Sequence, residues 1–158
     1  MADMLVKLYT LPSVSSERAL LLSRGILIKR AIAPERSLVR SWVQNHFSEG
    51  WADECDIAFT RIPISCFIAF QEKEILGFAC YEATFRGFFG PIGVSENLRG
   101  QGIGKSLLLT SLHAMYDEGY LYAIIGGVGP SPFYKKVLGA IEIEGSSPGG
   151  YLNMLKKS

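Results

Sequence analysis

The stretch Gly90–Lys105, GPIGVSENLRGQGIGK, constrains this chain most. At its centre stands Arg99-Gly100-Gln101-Gly102-Ile103-Gly104. Before it, Phe88, Phe89, Ile92 and Val94 read as a strand with a kink at Gly90-Pro91. After it, Leu107, Leu108, Leu112 and Met115 continue from Ile103 at helical spacing. The glycines therefore fall in a turn between a strand and a helix. There they let backbone N–H groups approach phosphate oxygens closely, and the helix start adds unpaired donors and the positive end of its dipole. Arg99 and Lys105 flank the loop and supply charge. The alternative is a tight surface turn that caps a helix, and glycines alone do not separate the two. Two other phosphate loops are excluded. GxxxxGK[ST] needs glycine where Arg99 stands, and GxGxxG needs glycine where Lys105 stands.

A length of 158 residues fits one domain with a sizeable core. A hydrophobic share of 48% against 20% charged is globular and rather apolar. The formal charge of +1 gives no electrostatic case for nucleic acid or an anionic membrane as partner. Cys55, Cys66 and Cys80 lack metal-ligand spacing, so no metal is expected, and a reduced, cytoplasmic setting is the simple expectation. No run of 18 apolar residues suggests a membrane-spanning helix. The first residues carry Asp3 and no basic segment before a long apolar core, which does not read as a signal peptide.

In chain order, Met4–Tyr9 reads as a short strand, an added edge strand or part of a dimer contact. Ser15–Ser23 reads as one or two helical turns with Ala19, Leu20, Leu21 and Leu22 turned inward. Ile26–Ile32 is a β-branched strand. Pro34 starts a helix in which Leu38, Val39, Trp42, Val43, His46 and Phe47 recur at helical spacing; His46 is expected buried or half-buried. A second helix falls within Glu49–Thr60. Its Glu49, Asp53, Glu54 and Asp56 either hold a cationic amine or form a solvated face. Ile64–Phe70 and Ile75–Thr84 form a hairpin across Gln71–Glu74. In it Phe78, Cys80, Glu82 and Thr84 share one face, and Ala79, Tyr81 and Ala83 the other. The helix after the loop ends near Gly119. Leu121–Ile125 is a strand followed by a flexible turn, Gly126–Pro130. Ala140–Glu144 and Gly150–Leu155 are expected to close a last hairpin. The order of elements gives a mixed α/β plan.

Arg99-x-x-Gly102-x-Gly104, after a strand and opening a long helix, resembles the pyrophosphate loop of the GNAT N-acetyltransferase superfamily, whose signature is Arg/Gln-x-x-Gly-x-Gly/Ala. The resemblance runs from about Gly25 to the C-terminus and continues in Phe133-Tyr134 and Leu138-Gly139. It departs from the family pattern Asn-x-x-Ala-x-x-Phe-Tyr, with Gly127 at the Asn position and Pro130 at the Ala position. The gap between Tyr134 and Gly139 is also one residue longer than usual. The resemblance implies a GNAT-like fold with a largely antiparallel sheet flanked by helices. It implies a single N-acetyltransferase domain over 1–158, with 1–24 as an N-terminal extension and 25–158 as the family-like core.

The activity it implies is direct acetyl transfer from acetyl-CoA, as co-substrate, to a primary amine of a small molecule or peptide. The alternative is a non-catalytic acyl-CoA-binding or sensor domain of the same fold. The pyrophosphate would lie on Arg99, Gly100, Gln101, Gly102, Ile103, Gly104 and Lys105. Ile92 and Val94 would pair with the pantetheine arm as an added strand would. The glycines at 126 and 127 would suit close approach, and Ser131 would replace the missing Asn contact. Glu82, read as mid-strand, is the candidate base, and Tyr134 the candidate proton donor to the departing thiolate. Cys80 as an acyl-carrying nucleophile is the weaker choice, since a lone strand cysteine is usually core. A homodimer is a further expectation of the resemblance.

Overall fold

The computed structural model describes residues 1–129 and 131–156; Pro130, which the sequence places in a family position, lies outside them. The chain forms β1 (Met4–Lys7), α1 (Ser15–Ser23), β2 (Ile26–Arg30), α2 (Arg36–His46) and α3 (Glu49–Ala58). It continues through β3 (Cys66–Gln71), β4 (Glu74–Tyr81), β5 (Phe88–Val94), α4 (Ile103–Asp117), β6 (Tyr122–Ile125), α5 (Ser131–Leu138) and β7 (Ile141–Glu142). One seven-stranded sheet has the order β2-β3-β4-β5-β6-β1-β7. Every neighbouring pair is antiparallel except β5 and β6, which are parallel. The mixed α/β, largely antiparallel plan is thus observed.

Alternation along β4 divides the core. Ala79 and Tyr81 point toward α4, while Phe78 and Cys80 point toward α2 and α3. Helix α4 lies across β3, β4 and β5, and α1 packs on it. It is covered on most sides, which suits a helix apolar nearly all round. Leu107, Leu108, Leu109, Leu112 and Met115 have no exposed surface. On the other face, α2 and α3 bury Val39, Val43, Ala52, Cys55 and Ala58.

Several local expectations change. Strand β1 is not an edge strand: it lies between β6 and β7, with Met4 and Val6 fully buried. In α1 only Leu21 packs inward, because residues one apart on a helix diverge by about 100°; Leu20 and Leu22 face outward. His46 is exposed, stacked on Trp42 with its Nδ1 2.9 Å from the Trp42 carbonyl. Glu82 is not mid-strand. Strand β4 stops at Tyr81, and Glu82 takes φ +57°, which turns the chain out of the sheet. The closing hairpin is not formed. Strand β7 is two residues long and pairs with β1, and Gly149–Tyr151 coils into a 3₁₀ turn after Pro148.

Leu108 on α4 tests this packing. Leu108→Ala removes a wholly enclosed side chain and leaves a cavity. We expect a loss of about 2–5 kcal/mol in urea unfolding.

Candidate active site

Strands β5 and β6 pair only at Phe88 with Ile124 and Phe89 with Ile125. Beyond that point β5 stays bound to β4, with Ile92 opposite Ala79, Gly93 opposite Phe78 and Val94 opposite Gly77. The chain after β6 instead turns away at Gly126. The edge of Gly90–Val94 that faces away from β4 therefore has no strand partner among the described residues. Ile92 and Val94, the residues expected to pair with an extended ligand, lie on this stretch.

A cavity of about 850 Å³ opens at the fork. Gly90 and Pro91 line it from one strand, Gly126 and Gly127 from the other. The start of α3 supplies Trp51, Asp53 and Glu54, and the β4–β5 loop supplies Thr84 and Phe85. The C-terminal segment Gly150–Met154 folds over it. Close approach explains Gly126. A Cβ there would meet the Tyr151 hydroxyl at 2.8 Å and the Phe88 ring at 3.0 Å. Tyr151 also packs edge-on against Phe85, 5.8 Å between centroids. Ser48 fixes the start of α3, its Oγ accepting from the Trp51 N–H at 3.1 Å.

The glycine loop reaches α4 from the far end of β5. Gly102 precedes the helix at φ +87°, and Gly100 has φ +85°; both values favour glycine. No side chain caps α4, and Gly102 O accepts from Ser106 N as the first helical bond. The N–H groups of Ile103, Gly104 and Lys105 thus begin the helix without intrahelical acceptors. Gln101 is exposed beside them. Arg99 is exposed and makes no ion pair among the described residues. Lys105 is paired with Glu17 of α1 at 2.9 Å, and that hydrogen bond holds the Glu17 carboxyl below its usual range.

The remaining expected residues are dispersed. The Gly127 N–H donates to Asp3 Oδ1 at 3.0 Å. Ser131 opens α5, with its N–H on Gly129 O at 3.0 Å. Tyr134 is nearly buried in the core on the α4 side, and burial pushes its phenol up. Its hydroxyl has no hydrogen-bond partner among the described residues. Glu82 accepts from the Gly87 N–H at one oxygen and from the Tyr120 hydroxyl at the other, 2.9 Å away. Both oxygens are engaged in holding the β4–β5 loop, and neither Glu82 nor Tyr134 lines the cavity. Cys80 is wholly buried, its Sγ 3.6 Å from Cys55 Sγ, and burial pushes its thiol well above the usual range. Among the described residues no group of three or more His, Cys, Asp or Glu could hold a metal.

The acidic residues of α3 separate into two kinds. Burial would raise the Asp56 carboxyl, but hydrogen bonds from Arg40 and Arg36 outweigh it and hold it low. Asp53 is paired with Arg40 at 3.0 Å. Glu54 has no cation partner among the described residues. It receives the Thr84 hydroxyl, and burial pushes its carboxyl above the usual range despite that bond. Trp51 and Glu54 are three residues apart and so share a helix face, a signal present in the sequence. Tyr151 and Phe85 come to the cavity through tertiary packing, and no sequence pattern marked them.

The Acetyltransferase (GNAT) family profile matches residues 36–140, and the chain belongs to this family. No curated protein matches the chain by sequence. Among solved structures, the fold is similar to a glucosamine N-acetyltransferase region of a fungal multi-domain GH3 β-N-acetylglucosaminidase. The TM-score is 0.72 at 16% identity, over 90% of this chain and 19% of that one. A GCN5-related N-acetyltransferase from Sphaerobacter thermophilus gives 0.69 at 18% identity, over 90% of this chain and 48% of that one. A GNAT acetyltransferase from Brucella melitensis, solved with acetyl-CoA, gives 0.55 at 16% identity, over 70% of this chain and 80% of that one. The chain thus spans less than half the length of the first two. At these identities the likeness is one of fold.

Glu54 has a consequence for stability. Its raised pKa means that, just above its ordinary value, the folded chain keeps a proton that the unfolded chain has released. Stability then falls as pH rises through that window. Glu54→Gln removes the penalty. We expect a higher Tm than the parent's at about pH 7 and an equal one at about pH 3.5, read by thermal denaturation.

Proposed function

We propose that this protein is an N-acetyltransferase that moves the acetyl group of acetyl-CoA to a primary amine by direct attack on the thioester. One observation carries the reading: β5 and β6 part over a cavity while the glycine loop opens α4 beyond the same strand. The residues present fit the cofactor. The free edge of Gly90–Val94 offers backbone groups to an extended amide-bearing arm. Gly100, Gly102 and the uncapped start of α4 offer N–H groups to a pyrophosphate, and Arg99 adds charge. Gly127 N–H is engaged by Asp3, so at that position shape rather than hydrogen bonding serves the ligand.

An alkyl ammonium with pKa about 10 must lose a proton before it attacks. Two carboxylates are candidates. Glu82 is occupied by the loop that it closes, whereas Glu54 faces the cavity, and burial raises its carboxyl above the usual range. Glu54 is the better base. The departing thiolate needs a donor, and the resemblance assigns Tyr134, whose hydroxyl has no partner among the described residues though its side chain lies outside the cavity lining.

Acetyl-CoA with a panel of amines, read by free thiol release, tests the reading. Thiol release that depends on amine supports it, and acetyl-CoA binding without turnover of any amine would mark a sensor domain instead. Gly102→Asp should abolish acetyl-CoA binding in calorimetry while the chain still folds, at a cost of about 1–2 kcal/mol for placing a side chain in the left-handed region. Nothing lies within 4 Å of a Cβ at Gly102, so the cost comes from φ +87° and not from a clash, and the carboxylate repels phosphate. Unchanged affinity would overturn the loop assignment.

Tyr134→Phe keeps the ring and removes the donor. We expect kcat to fall by roughly 10–10³-fold with little change in the KM for acetyl-CoA. A variant with full kcat would remove Tyr134 from the mechanism.

A further inference from the structure

The cavity has a charge pattern that bears on the acceptor. Among the described residues its lining contains no lysine, arginine or histidine. It contains two carboxylates, Asp53 and Glu54, of which Asp53 is exposed and already answered by Arg40. Of these two, Glu54 has no cation partner among the described residues. Around it stand Trp51, Phe85, Phe88 and Tyr151, with Leu152 and Met154 from the C-terminal segment.

We propose, resting on the acetyltransferase reading, that the acceptor is a small primary amine carried on an aromatic or similarly bulky apolar group and bearing no acidic group. Glu54 receives its ammonium, and the aromatic walls receive its body. An ammonium between a carboxylate and aromatic faces is held by charge and by the ring quadrupoles. A carboxylate or phosphate on the acceptor would enter a largely apolar cavity with no cation among its described residues to meet it and with Glu54 to repel it. A many-hydroxyl amine such as an amino sugar would find Thr84, Asp53 and Asn153 as polar side chains besides Glu54 and the Tyr151 hydroxyl among the described lining residues, and would leave other hydroxyls against aromatic and aliphatic walls.

The chemistry balances on this assignment. Glu54 takes one proton from the ammonium. The freed nitrogen pair forms the C–N bond to the acetyl carbonyl. The C–S bond breaks with its electron pair on sulfur, and the second proton lost from nitrogen is balanced by protonation of the thiolate. Glu54 then returns its proton to solvent. The products are the acetamide, the free thiol and one proton. The titratable groups that interact with Glu54 are Tyr151, whose phenol is pushed up by burial, and Cys55, next to it on α3; Asp53 lines the same cavity but is turned to Arg40.

The experiment compares 2-phenylethylamine, phenylalanine, spermidine and glucosamine as acceptors with acetyl-CoA on the full chain, with calorimetry of acetyl-CoA alone. The expected result is a kcat/KM for 2-phenylethylamine at least about a hundredfold above that for phenylalanine, which differs from it by the carboxylate. Glu54→Gln is expected to lower that kcat/KM by roughly 10²–10⁴-fold and to remove the acidic limb of its pH profile, with acetyl-CoA affinity retained. Preference for phenylalanine, spermidine or glucosamine overturns this inference and leaves the acetyltransferase reading standing. An acidic limb retained in Glu54→Gln overturns the role of Glu54. Absence of acetyl-CoA binding in the parent protein overturns both readings.

Discussion

The structure depends on a break in a hydrogen-bond ladder. Two parallel strands begin to pair and then separate after two residues on each side. A free edge inside a sheet is costly unless something satisfies it. The flanking chain limits that cost. On one side β5 stays paired with β4 on both sides of an irregularity at Gly90-Pro91. On the other, β6 is held by β1, and the glycine turn that follows is tied to Asp3. The gap is therefore framed by strands that are each secured elsewhere. Backbone groups left without partners lie open to a ligand that can supply them.

Electrostatics at the start of α3 follow from where arginines can reach. Arg36 and Arg40 on α2 meet Asp53 and Asp56 on the adjacent helix face. Glu54 points around the helix toward the cavity, away from both. Its charge is met by a hydroxyl rather than a cation. An acid kept in such a place lowers stability at neutral pH, and proteins retain such costs chiefly where chemistry needs them. Of the two carboxylates lining the cavity, it is the one without an opposing charge among the described residues.

Much of this was legible in the sequence. The glycine loop, the long apolar helix after it, the β3–β4 hairpin and the α2–α3 pair follow from periodicity and turn residues, which are local signals. The misses share a different cause. Alternation along β4 carried Glu82 into the strand because a period of two cannot register a residue at φ +57°. Tyr151 reaches the cavity across the fold to Gly126, a contact with no local signature. Leu20 and Leu22 read as core by their type, yet only Leu21 faces the sheet. The interior place of β1 was hidden because its partners, β6 and β7, lie at the other end of the chain.

That last arrangement bears on the order in which the molecule is assembled. Strand β1 leaves the ribosome before both of its partners, and Met4 must find Ile125 and Glu142. Contacts of such long sequence separation form slowly because the loop between them must be closed first. The β2–β3–β4 sheet with α2 and α3 has its partners close in sequence and can form while the rest is still being made. Until β6 and β7 emerge, Met4 and Val6 have no sheet to enter. The wall that α3 gives the cavity can thus precede the fork, and the side formed by β5 and β6 is completed only when β1 meets β6 and β7.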